Sequence, residues 1–151
     1  NPTATVIGAE PFVNGVAALL GTMTDVQTNE ILPEYKNIRI YPDDVREFLR
    51  PGNMKFKQIW VLHPDPWPKA KHEKRRLLQA EFINLLASHL TDDGEIIIGT
   101  DHWGYYDWIL TQVAQTDLNT TVPDISTIET RYQHKNMAET AAPKYLVLTN
   151  A

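Results

Sequence analysis

Short apolar runs alternate along the chain with segments whose apolar residues recur at helical spacing. This alternation limits the fold more than any other feature. The runs are Thr5 to Glu10, Asn37 to Tyr41, Lys57 to His63, Glu95 to Gly99 and Lys144 to Thr149. Between the first two, Phe12, Val16, Leu19, Leu20 and Met23 predict a helix from Pro11 to about Val26. Asp44 is placed to cap a short helix over Val45 to Leu49, which Pro51-Gly52 ends. Leu77, Leu78, Phe82, Leu85, Leu86 and Leu90 predict a helix from about Glu73 to Leu90, followed by a turn at Asp92-Asp93-Gly94. Tyr105, Trp108, Ile109, Leu110 and Val113 mark a further helix. Residues 116–127 read as a polar loop, and 130–138 stay ambiguous between strand and loop. Strand and helix in strict alternation argue for an α/β protein with a mainly parallel sheet flanked by helices and right-handed crossovers. The unbroken apolar stretch within Lys57 to His63 fits a strand buried on both faces.

A chain of 151 residues and 17.2 kDa suits one domain over residues 1–151 with a proper core. Its 42% hydrophobic and 22% charged residues exclude disordered, collagenous and coiled-coil chains. No apolar run approaches the roughly 18 residues of a membrane helix. The absence of cysteine excludes disulfide scaffolds and thiolate metal sites and fits a cytoplasmic setting. The five histidines (63, 72, 89, 102 and 134) show no ligand spacing, so no metal is expected. The chain opens Asn1-Pro2 and enters a strand almost at once. It is therefore read as starting inside a domain, with a natural or nearly natural C-terminus.

In open α/β sheets, ligands bind outside the carboxyl ends of the strands. Acids stand there repeatedly: Glu10, the pair Asp43 and Asp44, Asp65 and Asp101. Each alone reads ordinarily as turn chemistry or a helix cap. The window His63 to Arg76, HPDPWPKAKHEKRR, is less ordinary. Pro64, Pro66 and Pro68 stiffen the backbone and remove its donors, and Asp65 sits between two of them. Trp67 offers a flat surface beside that carboxylate. From Lys69 to Arg76, five cations stand against the one acid Glu73, so the net −5 divides into +4 on eight residues and −9 elsewhere. Cations hold phosphates, an aromatic ring stacks on a base, and an acid reads a base edge. A solvated basic helix start is the plainer reading. Cations are unfavourable at a helix N-terminus, however, which points to an external anion.

PDPWPK followed by the basic HxKRR pattern resembles the hallmark of the bacterial tRNA (guanine-N7)-methyltransferase family. Ile7-Gly8-Ala9-Glu10-Pro11-Phe12 with Gly15-Val16 is similar to that family's second strand and following helix. Asn37 to Ile40 leading to Asp44 resembles its third strand, and Gly94 to Thr100 with Asp101-His102 its fifth. Thr130-Arg131-Tyr132 resembles its late T-x-[FY]-E segment. The resemblance runs over nearly the whole chain in order. It implies a Rossmann-like class I methyltransferase fold that uses S-adenosylmethionine to methylate N7 of guanine 46 in the tRNA variable loop. It places Glu10 on the cofactor ribose, Asp44 near the adenine, and Asp65 between cofactor and target base. It also places Lys69 and Asp101 on the substrate, Lys71, His72, Lys74, Arg75 and Arg76 along the RNA, and Thr130, Arg131, Tyr132 and Gln133 in the last substrate segment. Monomer and homodimer stay equally open.

Departures accompany the resemblance. His63 stands where the family usually has an aromatic and is read as a packed or partly exposed rim residue and not as a catalyst. Lys71 replaces a more usual Arg, keeping charge without the bidentate fork. Gln133 replaces Glu. The family's first strand and its glycine-rich E-x-G-x-G loop are absent from this chain. That strand lies between the second and fourth, so the sheet is expected to be interrupted there. Two other readings stay open: a non-catalytic RNA-binding remnant of the same fold, and a nucleotide-dependent dehydrogenase, which TVIGAE alone would also fit. The acid pairs Asp43/Asp44 and Asp92/Asp93 are taken as turns and caps and not as hydrolytic dyads.

Overall fold

The computed structural model describes residues 3–50, 52–123 and 142–151, so Thr130, Arg131, Tyr132 and Gln133 lie outside the described residues. The chain divides into two compact units, Asn1–Asn53 and Met54–Ala151.

In the first unit, β1 (Val6–Ala9) and β2 (Ile38–Tyr41) pair in parallel, with Val6 opposite Ile38 and Ala9 opposite Tyr41. Parallel neighbours need a crossover, and α1 (Val13–Met23) supplies most of it. This helix is shorter than its apolar spacing predicts. Phe12 at its start and Thr24 at its end are both extended, and Thr24 bridges to Ile31. The short α2 (Val45–Leu49) begins where Asp44 accepts the Arg46 backbone N–H at 2.9 Å, the expected cap.

In the second unit, β3 (Phe56–Leu62), β4 (Leu90–Thr100), β5 (Asn119–Thr121) and β6 (Lys144–Thr149) form one sheet in the order β3-β4-β6-β5. β3 and β4 are parallel, and β6 runs antiparallel to both β4 and β5. β4 has partners on both sides, and its Ile96, Ile97 and Ile98 are buried, as an unbroken apolar run requires. Ile83 and Leu86 of α3 (Ala80–Ser88), Tyr105 and Ile109 of α4 (Trp103–Val113), and Leu146 and Leu148 of β6 complete the core. β3 does not meet the expectation of a strand buried on both faces: among the described residues it pairs with β4 alone, and its Trp60 and Leu62 stay 44% and 40% exposed. The described strands form two separate sheets, β1-β2 in the first unit and β3-β4-β6-β5 in the second.

Three further expectations need correction. The helix drawn from Glu73 to Leu90 is a 3₁₀ turn at Ala70–Arg75, an extended break through Arg76 and Gln79, and then α3. Arg76 and Leu78 are both drawn inward there, and a continuous helix could not bury that alternation. Asp92-Asp93-Gly94 lies inside β4, as an irregularity between the pairs Phe56–Leu90 and Gln58–Glu95. A Cβ on Gly94 would stand 2.9 Å from the Phe56 carbonyl oxygen, so the glycine is needed for a close approach and not for a turn. The polar stretch after α4 contains β5, an edge strand exposed along its whole length, where no apolar alternation is required.

Tyr105 is fully buried, its hydroxyl 3.5 Å from the Leu78 N–H. Burial pushes its phenol up to about 12 from the ordinary 10.0. The folded state therefore favours the neutral phenol. That contribution is intact below pH 10 and is lost as pH rises through about 12. The loss of stability between pH 10 and about 12, followed by denaturant melts with circular dichroism, should be shallower in Tyr105→Phe, and an identical slope would overturn this account.

Candidate functional site

The loop after β3 is built from strain and missing donors. His63 has φ 50° and Trp67 has φ 42°, both in the left-handed region that bulky residues avoid. Each precedes a proline, which restricts it further. Such residues persist only where their surroundings hold them. His63 is held by its backbone N–H, which donates to the Gly99 carbonyl at 2.7 Å and ties the end of β3 to that of β4. Its side chain is 7% exposed, with Nδ1 3.7 Å from Asp101 Oδ1, in keeping with a packed rim residue. Asp65 is exposed on this loop, so the strand ends bring Asp65, His63 and Asp101 to one rim.

The basic run follows on the 3₁₀ turn. Lys69, Lys71, Lys74 and Arg75 are exposed and His72 is half-buried. The Arg75 guanidinium lies 5.0 Å from the Trp67 ring centroid, and His72 meets the same ring edge-on at 5.6 Å. Trp67 thus already carries a cation on its ring. Arg76 departs from the expectation of a phosphate contact. It is 6% exposed, and its Nε and Nη2 donate to the carbonyls of Pro66 and Trp67 at 2.9 and 3.2 Å. The predicted conflict between cations and a helix N-terminus is absent, because α3 begins at Ala80 with Glu81 in its first turn.

The first unit presents two acids at the carboxyl ends of its parallel strands. Glu10 Oε1 accepts the Phe12 N–H at 2.8 Å, folding the side chain back over α1. A Cβ on Gly15 would stand 3.0 Å from Glu10 Cγ and Cδ, so this glycine leaves the space the carboxylate arm occupies. Asp44 is clamped by Arg46, whose Nε donates to both carboxylate oxygens at 2.9 and 3.0 Å. The Arg46 guanidinium holds the Asp44 carboxyl below its ordinary range.

Two features escaped the sequence reading. His102 caps α4, its Nδ1 accepting the Tyr105 N–H at 3.1 Å, and its position just after a strand end was the available signal. Tyr105 and Trp108 form a floor under Arg76, for which no local signal exists. Among the described residues no group of three or more His, Cys, Asp or Glu could hold a metal ion. No described helix is long and apolar enough to cross a membrane.

A family model described as "Putative methyltransferase" matches residues 1–143. The chain belongs to this methyltransferase family. It is 41% identical over 116 residues to a tRNA (guanine-N(7)-)-methyltransferase of Wolbachia pipientis wMel, covering 76% of this chain and 49% of that protein. It is 32% identical over 158 residues to one of Rhodospirillum rubrum, covering 97% of this chain and 59% of that protein. The chain therefore spans about half the length of the curated relatives it matches. Among solved structures it resembles a precorrin-6y C5,15-methyltransferase of Geobacter metallireducens, with TM-score 0.61, 11% identity, and coverage of 99% of this chain and 69% of that one. It also resembles a SAM-dependent O-methyltransferase of Thermotoga maritima, with TM-score 0.59, 11% identity, and coverage of 100% and 52%. The fold is the Rossmann-like fold of class I methyltransferases, a mixed sheet flanked by helices.

The Glu10 placement in this methyltransferase chain is testable through two glycines of one helix. Nothing lies within 4 Å of a Cβ at Gly21, so Gly21→Ala should stabilise by about 0.5–1 kcal/mol through helix propensity. Gly15→Ala should fall short of that gain, because Glu10 must shift and strain its bond to Phe12. Equal gains in thermal melts would show that Glu10 does not lie over Gly15.

Proposed function

We propose that the protein transfers a methyl group from S-adenosylmethionine to N7 of guanine 46 in the variable loop of tRNA, in the cytoplasm. The observation that carries this reading is an exposed carboxylate, Asp65, fixed between two prolines at a parallel-strand end beside four outward cations. The names of the relatives agree with it. The two units are read as parts of one methyltransferase domain over 1–151, supported by a family match that runs across both.

The residues present fit the cofactor. Glu10 Oε1 is used by Phe12, while Oε2 accepts no bond among the described residues and is free for the donors of a ribose. Asp44 would meet the adenine as an ion pair with Arg46 and not as a bare carboxylate. S-adenosylmethionine supplies an electrophilic methyl on a sulfonium, and guanine N7 offers a lone pair without prior loss of a proton. The protein's work is then positioning and electrostatics. Asp65 orients the base by accepting from N1–H and N2–H₂, and its charge favours the cation that forms. Lys69, Lys71, His72, Lys74 and Arg75 hold phosphates. Asp101 and the segment Thr130, Arg131, Tyr132 and Gln133 complete the substrate contacts.

Asp65→Asn should lower kcat for N7-methylguanosine formation by about a hundredfold, the scale of removing one electrostatic interaction with the transition state. Wild-type kcat would remove Asp65 from the mechanism. A protein that binds tRNA but takes up no S-adenosylmethionine in titration would be the non-catalytic remnant instead.

Reversing Lys74 and Arg75 to Glu should raise KM for tRNA. It should also flatten the log–log salt dependence by roughly 0.7–0.9 for each phosphate that is no longer neutralised. An unchanged slope would contradict the phosphate roles.

A further inference from the structure

We infer that Arg76 is the positioning residue of the Asp65 loop, a buried guanidinium fork that sets where the carboxylate stands. This rests on the role proposed for Asp65. Its neighbours Lys74 and Arg75 are exposed, whereas Arg76 is 6% exposed. Its guanidinium carbon lies 4.8 Å from the Trp108 ring centroid and 5.5 Å from that of Tyr105, so it rests on a floor built by α4. From that floor Nε reaches the Pro66 carbonyl and Nη2 the Trp67 carbonyl. The backbone of Arg76 is fixed as well. Its N–H donates to the Glu73 carbonyl at 3.0 Å, and its own carbonyl accepts from Gln79 Nε2 at 3.2 Å.

The two carbonyls it grips belong to the residue after Asp65 and to the strained Trp67. Pro64, Pro66 and Pro68 carry no N–H, which leaves the stretch few donors of its own, and Arg76 supplies two from outside it. A guanidinium has the planar fork and the stacking face that the two carbonyls and two rings demand. A lysine ammonium has neither. A phosphate contact needs an accessible cation, and this one is covered.

The test is Arg76→Lys, which keeps the charge and removes the fork. Hydrogen exchange of the peptide 63–75 should accelerate about tenfold or more while peptide 95–100 of β4 stays unchanged. The kcat for guanine N7 methylation should fall about tenfold, with KM for tRNA and the salt slope unchanged. Wild-type exchange, or rescue of kcat by lysine, would overturn the inference. So would a salt slope flattened by about one phosphate's worth at wild-type kcat, which marks a direct phosphate role. Should the wild-type protein methylate no guanine N7, the proposed function fails while the exchange result still judges the fork. Should Arg76→Lys not fold, Trp108→Leu strips one stacking face and leaves the fork's bonds. It should loosen the same peptide to a lesser degree, and no loosening would equally overturn the inference.

Discussion

A guanidinium removed from water costs several kcal/mol unless its donors and charge are answered. Around Arg76 each demand is met by a different element. The Pro-rich loop supplies carbonyls at 2.9 and 3.2 Å, α4 supplies two aromatic faces, and Glu73 brings a carboxylate oxygen to 3.5 Å from Nη1. The loop's need is complementary. Three prolines leave it rich in acceptors and poor in donors, and it contains Trp67 at a φ of 42°. Either partner alone would be unfavourable, and together they define the rim where Asp65 stands.

The same interaction explains the local course of the chain. Arg76 must face inward to reach the loop, and Leu78, two residues on, is fully buried against the core. Inward positions two apart belong to extended backbone, so the chain breaks after the 3₁₀ turn and α3 starts only at Ala80. Gln79 then bonds back to the carbonyls of Glu73 and Arg76, and Gln112 of α4 accepts the Ala80 N–H at 3.2 Å. With α3 starting there, the exposed cations avoid the positive end of its dipole.

Much of this was legible in the residues. The apolar runs placed β1 to β4 and β6, Asp44 announced its cap, and the prolines announced a stiff loop. The missing parts had non-local causes. Lys74, Arg75 and Arg76 are adjacent cations in the sequence, and which one turns inward depends on a floor formed by Tyr105 and Trp108, about thirty residues later. β5 lacks a signal because an exposed edge strand need not alternate. The net +4 of the basic window likewise overstates what faces solvent, since one of its five cations is spent inside the fold.

His63 and Asp101 pose a last question of cause. At 3.7 Å their side chains are too far apart for a good hydrogen bond, so this pair does not set the spacing of the rim. The backbone does. His63 N–H donates to the Gly99 carbonyl, and Gly99 pairs across to Tyr145 on the other side of β4. A Cβ on Gly99 would stand 2.7 Å from the Tyr145 ring and 3.1 Å from the Leu62 side chain, so the glycine makes room for both where the three strands meet. The distance between the Asp65 loop and Asp101 is therefore a property of the sheet. A histidine in place of an aromatic at position 63 can change the chemistry of the rim without changing its geometry.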